Sequence, residues 1–176
     1  NLPAAHKMDP PRYQNLAAAD IPVLALPGAA GSVRVIAGVF EGIAGPALTH
    51  TRMNVLDVRL AARQRAVFPA RNGDTALVYP LSGRLRLPVE TQADTRAGSP
   101  ADDGVVEDQG LAVLSSLGGE IMVTALENSR FLVLSGEPLH EPVNGHGPFV
   151  MNTYEEILQA YDDVVQGRLG RGGVPG

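Results

Sequence analysis

Phe68-Pro69-Ala70-Arg71-Asn72-Gly73-Asp74-Thr75-Ala76-Leu77-Val78-Tyr79-Pro80-Leu81-Ser82-Gly83 is the stretch that decides the fold. An apolar segment reaches a turn signal at Asn72-Gly73, a second runs from Thr75 to Leu81, and Ser82-Gly83 turns the chain again. Immediately beyond, Leu85, Leu87 and Val89 alternate with Arg84, Arg86 and Pro88, the period-two pattern of a strand with one wet face. No helical pattern separates these segments, which argues against parallel strands joined by helical crossovers.

The same rhythm extends in both directions. Upstream, Ile21–Leu26, Val33–Phe40, Val55–Leu60 and Ala66–Phe68 read as strands; downstream, Leu111–Leu114, Glu120–Ala125 and Arg130–Ser135 do. Turn signals at Pro27-Gly28, Gly45-Pro46, Gly118-Gly119 and Glu127-Asn128-Ser129 separate them. Many short strands at near-regular spacing predict an all-β antiparallel sandwich or barrel. The 176 residues suit one domain. With only 5% aromatic residues and no Trp, its core must be built mainly from Val, Leu, Ile and Ala.

Residues 1–20, rich in Pro and Ala with little periodicity, predict an extended arm that needs a surface to lie on. Residues 90–109 are polar and predict a long hairpin excursion; the Gly-rich residues 170–176 predict a frayed tail. Between them, Thr153 followed three residues later by Glu156 is a capping box. Tyr154, Ile157, Leu158, Tyr161, Val164 and Val165 then recur at helical spacing, and Gly167 ends the helix.

Gly147-Pro148-Phe149-Val150-Met151-Asn152-Thr153-Tyr154-Glu155-Glu156-Ile157, with Gly136-Glu137-Pro138-Leu139 before it and Gln166-Gly167-Arg168-Leu169-Gly170 after it, resembles the C-terminal end of the pirin family. Asn1-Leu2-Pro3-Ala4, Lys7-Met8, Pro10-Pro11-Arg12-Tyr13-Gln14 and Ile21-Pro22-Val23 are similar to the segment linking the two halves of a pirin. Val33-Arg34-Val35-Ile36-Ala37-Gly38, Gly45-Pro46-Ala47 and Leu56-Asp57-Val58-Arg59-Leu60 are similar to the opening strands of its second half. The resemblance covers nearly the whole chain apart from a polar stretch around Glu90 to Asp108 and the last few residues. It implies a cupin-type sandwich with an N-terminal arm and one C-terminal helix: arm at 1–20, cupin domain at 21–150, helix at 151–169 and tail at 170–176.

A metal-binding cupin presents His-x-His and a Glu on one strand pair and a further His on a later strand, all converging on the interior. The corresponding stretch here, Phe68 to Gly83, contains no His, and neither do the strands at 111–114, 120–125 and 130–135. No metal ligand and no catalytic residue is therefore expected in this chain. His6 lies in the arm, His50 follows a Gly-Pro turn, and His140 and His146 flank the loop before the helix at a spacing that suits neither a helix pair nor a strand pair. There is no Cys, which excludes disulfides, thiolate metal sites and cysteine nucleophiles. Ser115 and Ser116 lack an elbow motif, and Gly118-Gly119 is not followed by a helix that would bind phosphate. A net charge of −5 gives no reason to expect direct nucleic-acid binding, and the local basic groups, Arg59 with Arg63 and Arg65 and Arg168 with Arg171, read as solvated faces. No run is long enough to span a membrane.

The resemblance implies a two-cupin protein whose first half holds a mononuclear non-haem iron, with quercetin 2,3-dioxygenase activity in some members and transcription-cofactor roles in others. This chain is then expected to be the metal-free companion of an iron-bearing N-terminal cupin, with iron as the cofactor of that other half and a cytoplasmic location. Its expected partner is that half, or a second copy of itself. The arm and the helix are expected to form the contact surface, through Leu2, Met8, Tyr13, His146, Tyr154, Ile157, Leu158 and Tyr161. The alternative expectation is a stand-alone, metal-independent cupin that binds a small apolar or aromatic molecule. A metal-independent isomerase ranks last, for lack of a His paired with Asp or Glu on the strands.

Overall fold

The computed structural model describes residues 1–10, 12–88, 92–94 and 104–168. The expectations for Val89, for most of residues 90–103 and for the tail at 170–176 fall outside them. The described chain forms two compact units, residues 16–138 and a second built from residues 1–15 with 139 onward.

In the first unit the strands are β1 (Val23–Ala25), β2 (Gly31–Ala37), β3 (Val39–Phe40), β4 (Ile43–Ala44), β5 (Met53–Leu60), β6 (Arg65–Ala70), β7 (Thr75–Ser82) and β8 (Leu85–Arg86). They continue with β9 (Gln92–Asp94), β10 (Val105–Val106), β11 (Ala112–Leu114), β12 (Gly119–Ala125) and β13 (Ser129–Gly136). All pair antiparallel, in a seven-stranded sheet ordered β1-β2-β5-β13-β7-β11-β9 and a four-stranded sheet ordered β10-β8-β12-β6, with β3 and β4 as a separate hairpin. The polar excursion expected at residues 90–109 is thus partly ordered into both sheets, through β9 and β10.

Alternation dictates the sandwich. On β13 every second residue from Ser129 to Ser135 is buried, including Phe131 and Val133, while Leu132 and Leu134 stay half-exposed. On β6 the buried residues are Ala66 and Phe68, and on β12 they are Ile121, Val123 and Ala125. Leu85 and Leu87 are fully buried and Arg86 is exposed, as the period-two pattern requires. Phe68 of the small sheet meets Phe131 of the large sheet edge-on, with ring centroids 6.1 Å apart. Phe40 joins them, 5.6 Å from Phe68. Three rings suffice to bridge a core otherwise made of Val, Leu, Ile and Ala.

The second unit contains a 3-10 turn at Ala4–His6, a hairpin of β14 (Asn144–His146) and β15 (Phe149–Met151), and helix α1 (Tyr154–Val165). The hairpin turn is Gly147-Pro148, and Gly147 has a φ of 55°. A side chain there would place its Cβ 2.5 Å from the Tyr161 hydroxyl, so only glycine suits both the backbone and the neighbour. The capping box forms as expected: Thr153 Oγ1 accepts the Glu156 amide at 3.2 Å, and Glu156 Oε2 accepts the Thr153 amide at 3.0 Å. At the other end Gly167 has a φ of 66°, its amide bonds the Val164 carbonyl, and the Arg168 amide bonds the Asp163 carbonyl at 2.7 Å, which is a Schellman motif. Among the described residues no helix is long and apolar enough to cross a membrane.

Candidate functional site

The stretch that the sequence sets against a cupin's metal-bearing segment runs from β6 into β7, and the inward-facing positions of these two strands decide whether a metal fits. They are occupied by Ala66, Phe68, Ala76 and Val78, all buried. None offers a donor atom, so these side chains do not fit an iron. The facing strands add Leu56, Val58, Phe131, Val133, Ile121 and Val123. Among the described residues of this unit the buried carboxylates are Asp57 and Asp74, and each is tied to arginine. Asp74 takes two hydrogen bonds of 2.7 Å from Arg52, whose guanidinium holds its carboxyl below the usual range against the opposing effect of burial. Asp57 is held the same way by Arg130, with Arg34 at 3.7 Å adding to the effect.

The four histidines lie outside this interior. His6 bonds Asp9 through Nδ1 at 2.8 Å. His50 is half-buried before β5, and His140 is exposed with a positive φ of 53°. His146 is exposed at the end of β14 and stacks edge-on against Tyr161 at 5.7 Å.

Of the residues expected at a contact surface, Leu2, Met8, Tyr13, Tyr154, Leu158 and Tyr161 are exposed. Ile157 is not. At 1% exposure it packs within this chain, together with Ala160. The reason is geometric. At 100° per residue, Tyr154, Leu158, Tyr161 and Val165 fall within a stripe roughly 60° wide, while Ile157 and Ala160 fall on a neighbouring face. Helix α1 therefore has a face buried at Ile157 and Ala160, which runs out at the exposed Val164 near its end, and a neighbouring apolar stripe exposed at Tyr154, Leu158 and Val165 and partly covered at Tyr161. Phe149 and His146 flank Tyr161, the Phe149 ring at 5.0 Å.

A polar network ties the arm, hairpin and helix of this unit together. Glu141 Oε2 accepts the Ala4 amide at 2.7 Å and the Asn152 side-chain amide at 3.1 Å. Asn152 also donates to the Pro142 carbonyl, and its backbone amide bonds Glu156 Oε2 at 2.8 Å. Asn144 donates to the Asn152 carbonyl at 2.6 Å. Sequence reasoning missed this network because its members follow no local periodicity. Asp162 and Asp163 stand near the helix C-terminus, where negative charge is unfavourable. Arg168, curled back by the Schellman turn, bonds Asp163 at 2.7 Å and also contacts Asp162, which keeps the Asp163 carboxyl below its ordinary range.

Comparison with known proteins agrees with this fold. Residues 55–170 match the Pirin C-terminal cupin domain. A provisional quercetin 2,3-dioxygenase of Pseudomonas aeruginosa is 42% identical over 171 residues, a match covering 97% of this chain and 55% of that protein. Mouse pirin is 36% identical over 175 residues, covering 97% and 55% respectively. The crystal structure of a quercetin 2,3-dioxygenase from Acinetobacter baumannii superposes with a TM-score of 0.84 at 38% identity, again covering 97% of this chain and 55% of that one. The chain spans about half the length of the curated relatives it matches.

Proposed function

The chain belongs to the pirin family and spans its C-terminal cupin domain, and from that premise we propose that it acts as the metal-free half of a two-cupin protein. In this reading an N-terminal cupin bears the iron and carries out flavonol oxygenation of the kind named for the Pseudomonas and Acinetobacter relatives. What supports the reading is the apolar filling of β6 and β7: Phe68, Ala76 and Val78 are buried and offer neither the imidazole nor the carboxylate that a non-haem iron takes as ligands. The stripe of Tyr154, Leu158, Tyr161 and Val165 and the exposed Leu2, Met8 and Tyr13 support a docking role. An apolar stripe of this kind is what a partner surface covers.

The other reading, a stand-alone cupin with a small ligand between its sheets, is disfavoured by the contacts among Phe40, Phe68 and Phe131 that occupy that space. The test is quercetin oxygenation measured with this chain alone, with the companion cupin alone, and with both together. Activity is expected only where the companion cupin is present; turnover by this chain alone would overturn the proposal.

A further inference from the structure

One row of register partners crosses four strands near the end of the seven-stranded sheet: Ser32 on β2, Arg59 on β5, Arg130 on β13 and Ser82 on β7. In the next row Arg34 stands opposite Asp57. Three guanidinium groups therefore surround one carboxylate. Arg130 occupies both Asp57 oxygens, at 2.9 and 2.8 Å, and Arg34 approaches to 3.7 Å. The Arg59 side chain acts on Asp57 only through space and makes no hydrogen bond or ion pair among the described residues. Two positive charges are left uncompensated. Arg59 and Arg130 are direct cross-strand partners, with Cβ atoms about 5 Å apart, a placement that is unfavourable for like charges.

Beside this pair opens a cleft of about 380 Å3, whose walls include Arg59, Leu60, Ala61, Ser82, Asn128 and Arg130. The opening is broad and faces solvent, with room for a small organic molecule beside the two arginines. Asn128 Oδ1 accepts the Ala62 amide at 2.9 Å, which leaves the Asn128 NH2 group available to donate. Ser82 brings an exposed hydroxyl. Two arginines, one of them held by Asp57, and two residues with neutral donors thus line one opening.

We propose that this cleft binds a small organic oxyanion, a carboxylate or a phosphate monoester. The Arg59 guanidinium grips the charged group, Arg130 stands behind it braced by Asp57, and Asn128 and Ser82 supply neutral hydrogen bonds. The planar fork of arginine matches two oxygens of either group. The inference is independent of the companion-half reading, since every residue involved lies within residues 16–138.

The test is an NMR titration of the 15N-labelled chain with sodium succinate and, separately, with phenyl phosphate, at an ionic strength held constant with NaCl. Saturable shifts centred on Arg59, Asn128 and Ser82 are expected with at least one ligand, and the stronger of the two identifies the class. Arg59→Gln should weaken binding roughly tenfold, as expected for losing a charge-assisted bond. Arg59→Lys should retain part of the affinity, and Ser82→Ala should cost a few-fold while leaving the thermal midpoint unchanged. Shifts no larger than the NaCl control, shifts centred elsewhere, or equal binding by Arg59→Gln would overturn the proposal.

Discussion

Helix α1 offers a controlled comparison, because two neighbouring apolar residues have opposite fates. Ile157 is 1% exposed and Leu158 is 54% exposed. Truncating a fully buried Ile to Ala costs about 2–5 kcal/mol through lost transfer energy and the cavity left behind. Ile157→Ala should therefore lower the stability of the isolated chain by about 3 kcal/mol. Leu158→Ala should change it by less than about 0.5 kcal/mol, the usual range for a surface site. The order reverses for docking. Full burial of a Leu side chain is worth about 1.5–3 kcal/mol, and roughly half of Leu158 remains to be covered, so Leu158→Ala should cost about 1 kcal/mol of association, a roughly fivefold weaker Kd. Urea denaturation followed by circular dichroism measures the first quantity, and calorimetric titration with the companion cupin measures the second. The reasoning fails if Leu158→Ala destabilises the chain as much as Ile157→Ala does, or if it leaves the association untouched.

Two further perturbations test the scaffold. Asp57→Asn removes the carboxylate that Arg130 and Arg34 hold below its ordinary range. A depressed folded-state pKa stabilises above the unfolded value, so the gap between wild type and Asp57→Asn should stay constant from neutral pH down to about pH 5 and shrink as pH falls through the folded pKa; thermal melts at stepped pH would show it, and a gap that widens on acidification would contradict it. Gly147→Ala should destabilise the hairpin and helix by about 1 kcal/mol or more, from the positive φ alone, before the contact with the Tyr161 hydroxyl is counted. Amide exchange in α1 reads this directly, and unchanged protection would refute it.

Legibility in the sequence followed the range of the interaction. The caps of helix α1 were readable, because Thr153, Glu156 and Gly167 act within one turn of its ends, although the helix itself spans Tyr154–Val165 and not 151–169. The alternating strands β7, β8, β12 and β13 were readable because burial on one face imposes a period of two. The β3–β4 hairpin was missed: its turn is Glu41-Gly42, and Glu41 adopts a φ of 47° that its residue type does not advertise. The β14–β15 hairpin hid in the segment read as the loop before the helix, although Gly147-Pro148 marks its turn. The fate of Ile157 required the helix phase relative to its surroundings, which spacing alone does not supply. The ion pair of Asp57 with Arg130 joins residues 73 apart, and nothing local encodes it. Arg59, read as part of a solvated basic face, gained its interest only once β13 had brought Arg130 opposite it.

The account rests on one chemical claim, that the interior of this half, lined by Phe68, Ala76, Val78 and their apolar neighbours, holds no iron. Iron content per chain, measured by mass spectrometry on protein purified from iron-replete cells and compared with the companion cupin prepared in parallel, tests that claim most directly. The account predicts far less than one iron per copy of this chain and about one per copy of the companion; one tightly held iron liganded by this chain alone would contradict it.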